Sequence, residues 1–210
     1  EELVLFIQDG SELLFNSHPW THGLGPTADC AGNGLMFHSC LVAKYHESKE
    51  TEILGLSYQE AWIRPEKKSL DSSKESEVWL RTLKKSGRPQ KNWVSVGDRA
   101  NDIYDFLHGA IGDGWKFTVR ARHDRKVEIN GAQERLFPWI RRQTAKCQSM
   151  LFVKANGKEF SGEVGLEITW AKAKLLPPNK KSSLTAEEVT YIRVWCPERP
   201  KLEWLLITNL

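Results

Sequence analysis

The chain has 210 residues and 40% hydrophobic content, ample for a buried core. No run approaches the roughly 20 apolar residues that a membrane-spanning helix needs. The net charge of +3 hides an asymmetry: residues 1–115 carry 12 Lys+Arg against 17 Asp+Glu, residues 116–201 carry 18 against 9, and Glu203 completes the count. So basic a second half suits a polyanion such as nucleic acid, or else a solvated lysine-rich surface.

In chain order, Leu3-Val-Leu-Phe-Ile-Gln8 is a short apolar run that predicts a strand buried on both faces and ending at Asp9. The Gly, Pro, His and Thr content from Asn16 to Asn33 predicts a loop. Leu35–Lys44 and Ile53–Ile63 then read as second and third strands, able to form an antiparallel meander with the first. After a polar segment, Glu75–Lys85 places Val78, Trp79, Leu80 and Leu83 at helical spacing, with Gly87 as a stop. Trp93–Val96 is a fourth strand running into Gly97 and Asp98. Asn101–Leu107 reads as a helix closed by Gly112-Asp113-Gly114, and Lys116–Arg122 as the fifth strand.

Three strands, helix, strand, helix, strand is the element order of the ribonuclease H-like fold, an α/β mixed sheet flanked by helices. In that order the first and fourth strands are neighbours, so Asp9 and Asp98 are expected to meet. Beyond Val127 the alternation stops. Leu136–Arg142 reads as a short helix, and Met150–Ala155, Gly162–Leu175, Val189–Cys196 and Leu202–Thr208 as strands. The second of these alternates through Val164, Leu166, Ile168 and Trp170. The expected organisation is a core over 1–127, a β-rich insertion after the fifth strand over 128–202, and a strand returning towards the core over 203–210.

Two aspartates at adjacent strand ends cannot both ionise cheaply unless a cation lies between them. Hard divalent ions resolve that conflict, and paired Mg2+ ions roughly 3.5–4 Å apart support in-line phosphodiester displacement. Asp9 and Asp98 are therefore the candidate catalytic and metal-ligating residues, with Mg2+ as cofactor and Mn2+ as its substitute. Cys30, Cys40, Cys147 and Cys196 form no CxxC pair, nothing at the N-terminus resembles a cleavable signal, and reduced thiols in a cytoplasm are expected. His18, His22, Cys30, His38 and Cys40 lie close in sequence, but their spacings match no standard zinc finger.

Several blocks resemble the IS4-type (Tn5-like) DDE transposases. Phe6-Ile-Gln-Asp-Gly-Ser-Glu-Leu13 is similar to that family's first catalytic block, with Gly10 where relatives often carry Thr. Ser17-His18-Pro19, Gly23-Leu-Gly-Pro26, Gly34-Leu-Met-Phe-His-Ser39 and Trp62-Ile-Arg-Pro65 continue the likeness. Val96-Gly-Asp-Arg-Ala-Asn-Asp-Ile103 resembles the second block, with Ala100 in place of the usual Glu. Lys116–His123 is similar to the strand whose arginines approach DNA in the family. The resemblance thus implies DNA-binding roles for Arg99, Arg120, Arg122 and Lys126.

Glu203-Trp-Leu-Leu-Ile-Thr208 looks like the strand that leaves the insertion. There the matching Trp holds a flipped base, so Trp204 is either that residue or a core Trp on an amphipathic strand. The family's third carboxylate, a Glu within a Tyr-Arg-Glu-Lys signature on a later helix, has no match here, and Glu203 does not occupy its position. The resemblance implies a bacterial, nucleoid-associated enzyme that cuts transposon ends and joins them to target DNA as a synaptic dimer. The chain is then expected to be a fragment, inactive alone. The alternatives are a non-catalytic DNA-binding remnant of a transposase and another kind of ribonuclease H-like nuclease.

Overall fold

The apolar run at the start of the chain belongs to one long strand, β1 (Glu2–Leu14). The structure is a computed structural model and describes residues 2–18, 20–27, 32–65, 73–154, 161–181 and 183–210. β1 does not end at Asp9 as expected. It continues because residues 9–14 extend an antiparallel ladder with β3 (Asn33–His46), from Asp9↔Ser39 to Leu14↔Gly34. That ladder satisfies backbone groups whatever the side chains are, so the change to polar residues does not stop the strand. β2 (Gly25–Pro26) pairs with the start of β3, and β4 (Lys49–Trp62) runs antiparallel to β3, completing the meander.

Just past β4, Arg64 holds Glu75 through two hydrogen bonds of 2.6 and 2.8 Å and lies 3.6 Å from Glu12. Trp62 Nε1 donates to the same Glu75 carboxylate. The Trp62–Pro65 block therefore fastens the ends of β1 and β4 to the helical segment that follows. That segment is not one helix over 75–85 but two, α1 (Ser73–Ser76) and α2 (Val78–Ser86), divided at Glu77. α2 buries Val78, Trp79, Thr82 and Leu83 and stops at Gly87.

β5 (Trp93–Gly97) lies parallel to β1, in register from Val4↔Trp93 to Gln8↔Gly97. The helix expected over 101–107 is also divided. A 3-10 turn spans Arg99–Asn101, Ile103 adopts extended backbone, and α3 (Tyr104–Gly112) begins only afterwards. β6 (Lys116–Arg120) ends two residues before the expected strand.

Two compact units result, Glu1–Phe117 and Thr118–Leu210, the division falling inside β6. Unit 1 is an α/β sheet with β4, β3, β1 and β5 side by side. Its core includes the rings of Phe6, Trp93 and Trp115, whose centroids lie 4.6–5.7 Å apart.

Unit 2 is antiparallel throughout its described ladders. Its further strands are β7 (Lys126–Ile129), β8 (Ala132–Arg135), β9 (Cys147–Val153), β10 (Gly162–Leu175), β11 (Glu187–Cys196) and β12 (Arg199–Thr208). β12 joins β6 to β11, β11 joins β10, and β10 takes β9 along its first half and β7 at its end. The β7–β8 hairpin was missed in sequence although Asn130-Gly131 announces it. Both residues have positive φ, 52° and 83°, as the tightest hairpin turn requires.

β10 departs from the expected single alternation. Its first half buries Val164 and Leu166, whereas its second half buries Thr169, Ala173 and Leu175, which point to the opposite face. The exchange follows from what covers each half. Val164 and Leu166 pack with Cys196, Leu151, Val194 and Trp204. On the other face Tyr191, in register with Ala171, meets Trp139 of α4 (Leu136–Arg141) at 6.1 Å between centroids. Trp170 is left 42% exposed. Among the described residues no helix is long and apolar enough to cross a membrane.

Candidate functional site

The parallel ladder between β1 and β5 decides how the two aspartates relate. Its last pair is Gln8↔Gly97, so Asp9 and Asp98 each stand one residue beyond it. Asp98 keeps an extended backbone (φ −79°, ψ −164°) while capping the 3-10 turn that follows. One more step along both strands thus brings the two residues to the same level, with neighbouring strands about 4.8 Å apart. By alternation both side chains leave the face opposite to Gln8. Both are exposed. Asp98 Oδ1 accepts the Ala100 N–H at 2.8 Å, which orients the carboxylate and leaves Oδ2 without a role in the cap.

On the opposite face of these strands a row of buried neutral polar groups crosses this level, one that the sequence did not reveal. Gln8, 2% exposed, donates from Nε2 to Ser95 Oγ of β5 at 3.1 Å. Its Oε1 faces His38 Nε2 of β3, also at 3.1 Å. An amide oxygen only accepts, so His38 carries its proton on Nε2 and donates. Burial lowers the His38 pKa to about 4, against an upward pull from Glu60 and with a smaller downward push from Arg81. The ring is therefore neutral at pH 7, and its edge-to-face partner is Trp79 of α2, 4.6 Å away.

The turn after β5 is equally tight. Asn101 is fully buried, with no hydrogen-bond partner on its carboxamide among the described residues, and it fills the space where a side chain at 97 would begin. A Cβ on Gly97 would lie 2.3 Å from Asn101 Nδ2. Glycine at 97 is therefore required by close approach.

The residues expected to face DNA fall in both units. Arg99 is exposed on the 3-10 turn beside Asp98. In unit 2, Arg120 is half-buried opposite Leu206 of β12, whereas Arg122 and Lys126 are exposed. Trp204 is half-buried against Val164, Leu166 and Cys196. It shares a sheet face with Leu206 and hence with Arg120. The same cross-strand row reaches Trp170 through Ile192, and Lys146 Nζ lies 4.9 Å over the Trp170 ring.

Glu203 is occupied elsewhere. Arg141 donates to it at 2.6 Å and Arg193 at 2.8 Å, and these hydrogen bonds, led by Arg141, hold its carboxyl below the usual range. Cys40 is buried, which pushes its thiol pKa up, and Cys30 lies outside the described residues. Among the described residues, no group of three or more His, Cys, Asp or Glu is arranged to hold a metal ion.

No family model matches the chain. Among solved structures it is similar to a cryo-EM structure of the piggyBac transposase synaptic complex with hairpin DNA, with a TM-score of 0.39 and 9% identity. The match covers 98% of this chain and 33% of that chain, so this chain spans about a third of that protein's length. At that distance function has to be argued from the residues themselves.

Proposed function

We propose that the chain is part of the catalytic core of a DNA transposase of the ribonuclease H-like, IS4-type kind, with Asp9 and Asp98 as Mg2+ ligands. The observation that carries this reading is the β1–β5 ladder, which ends one residue short of both aspartates. The donor set fits a hard cation in kind but not in number. Two exposed carboxylates at one level are hard oxygen donors of the kind a divalent ion takes. Two protein ligands are few, however, and water or a further carboxylate has to complete the shell. A bound Mg2+ supplies Lewis-acid polarisation of a phosphodiester oxygen.

The chain's own residues hold and orient. The strand backbone fixes Asp9, the Ala100 N–H fixes Asp98, and Arg99 offers its guanidinium to a phosphate beside them. Arg120, Arg122 and Lys126 supply backbone-neutralising charge, and Trp204 an aromatic face, for double-stranded DNA held in a synaptic dimer. A second reading, a DNA-binding remnant without catalysis, is favoured by the lack of a third carboxylate among the described residues near the pair.

Titration with Mn2+ separates the two. The catalytic-core reading expects binding that weakens at least about tenfold in Asp9→Ala and in Asp98→Ala. Wild-type affinity in both variants, with DNA binding retained, would leave only the remnant.

A further inference from the structure

β1 has a register problem that its hydrophobic pattern does not solve. Leu3, Val4, Leu5, Phe6 and Ile7 are all apolar, so both faces of the strand look alike to a core. A slip of one residue would exchange the faces at little hydrophobic cost. It would also carry Asp9 inside and Gln8 outside. Some other interaction must distinguish the correct alignment at this end of the strand.

The buried row does so. Gln8 bonds sideways in both directions at once, to Ser95 on the parallel neighbour and to His38 on the antiparallel one. All three residues are almost fully buried, so a misaligned strand would leave an amide, a hydroxyl and an imidazole without partners away from water. A leucine at position 8 would fill similar space but leave the Ser95 hydroxyl and the His38 imidazole without Gln8 in every register, and so would not favour one alignment over another. The row runs obliquely across the level of the two aspartates, from Ser95 in register with Phe6, through Gln8, to His38 in register with Gly10, and it ties together the two strands that carry them.

We infer that Gln8, bridged to Ser95 and His38, is a positioning residue that sets the spacing and level of Asp9 and Asp98 for a shared divalent cation. This inference rests on the metal-ligand reading of the two aspartates. Gln8 touches no cation itself. It acts from the opposite side of the sheet, by fixing the alignment of the strands from which the carboxylates project. His38 serves as a donor through its Nε2–H, with the ring held edge-on by Trp79.

The test uses Mn2+ as probe, the whole chain, and two measurements: Mn2+ affinity from water-proton relaxation and melting temperature from circular dichroism. Gln8→Leu and Ser95→Ala are each expected to lower Mn2+ affinity about tenfold in protein that remains folded at the titration temperature. Ser95→Thr, which keeps the hydroxyl, is expected to restore most of it. A purely structural role would lower the melting temperature and leave the affinity of the folded protein unchanged, and that pattern overturns the inference. If Gln8→Leu fails to fold, the Ser95 pair decides alone: loss with Ala and recovery with Thr supports the inference, while equal affinity in both overturns it. Asp9→Ala and Asp98→Ala separate this outcome from failure of the parent reading. If they lose Mn2+ while Gln8→Leu and Ser95→Ala keep it, only the positioning role falls. If they keep it, the metal site falls and the positioning role with it.

Discussion

Two polar clusters, one in each unit, sit against the sheet with opposite chemistry. In unit 1 the row Ser95–Gln8–His38 is neutral and sealed from water. In unit 2 the cluster Arg141–Glu203–Arg193 is ionic and keeps contact with water, Arg141 being 48% exposed. Arg193 also lies 4.1 Å over the Trp195 ring. Burying a charge costs far more than burying an amide that is hydrogen-bonded at both ends. Of these two clusters, the ionic one opens to solvent through Arg141, and the amide row stands where alignment has to be specified.

The largest expected effect breaks the neutral row. His38→Ala removes a fully buried ring and leaves Gln8 Oε1 without its donor, and a loss of about 3–5 kcal/mol is expected in urea unfolding. A loss under about 1 kcal/mol would show that the row contributes little to stability.

Acidification is the next largest and separates the two clusters. The folded pKa of His38 is about 4, below the ordinary histidine value of 6.5, so the unfolded chain takes up the proton first. Its contribution is full above 6.5 and erodes as the pH falls from 6.5 towards 4, by about 2 kcal/mol at pH 5. Glu60 and Arg81, which face the ring, pull in opposite directions and leave burial dominant. Glu203 contributes fully above the ordinary glutamate value of 4.5 and loses that contribution only as the pH falls through its lower folded value. Amide protection factors in β1 and β3 are therefore expected to fall between pH 7 and 5 while those in β11 and β12 hold. Simultaneous loss in both would contradict the assignment.

The smallest effect is in the ionic cluster. Glu203→Gln keeps the shape, and solvent screening through Arg141 limits the loss to about 1–2 kcal/mol. A salt-dependent difference in melting temperature between wild type and variant is the measurement.

Much of unit 1 was legible because its elements are short, strongly apolar and punctuated by glycine and aspartate. The meander, the strand at Trp93 and the stop at Gly87 were read from local pattern. The break at Ile103 was not, because helical periodicity continues across it and only the backbone turns extended; nor was the one at Glu77, where the backbone dihedrals themselves stay helical (φ −78°, ψ −17°). In unit 2 the Asn130-Gly131 hairpin was legible and overlooked. The change of buried face within β10 was not, since Val164, Leu166, Ile168 and Trp170 alternate perfectly in sequence, and which half is covered depends on α4 and β9.

That aspartates close two apolar runs 89 residues apart is written in the chain, because composition changes abruptly at each. Folding set β1 parallel to β5 in the register Gln8↔Gly97, because a strand apolar on both faces carries no record of its own alignment. It likewise decided that Gln8, Ser95 and His38 form one row and that Gly97 must stay bare beside Asn101. Hydrogen bonds and close approaches between distant segments leave no periodicity in the chain that makes them.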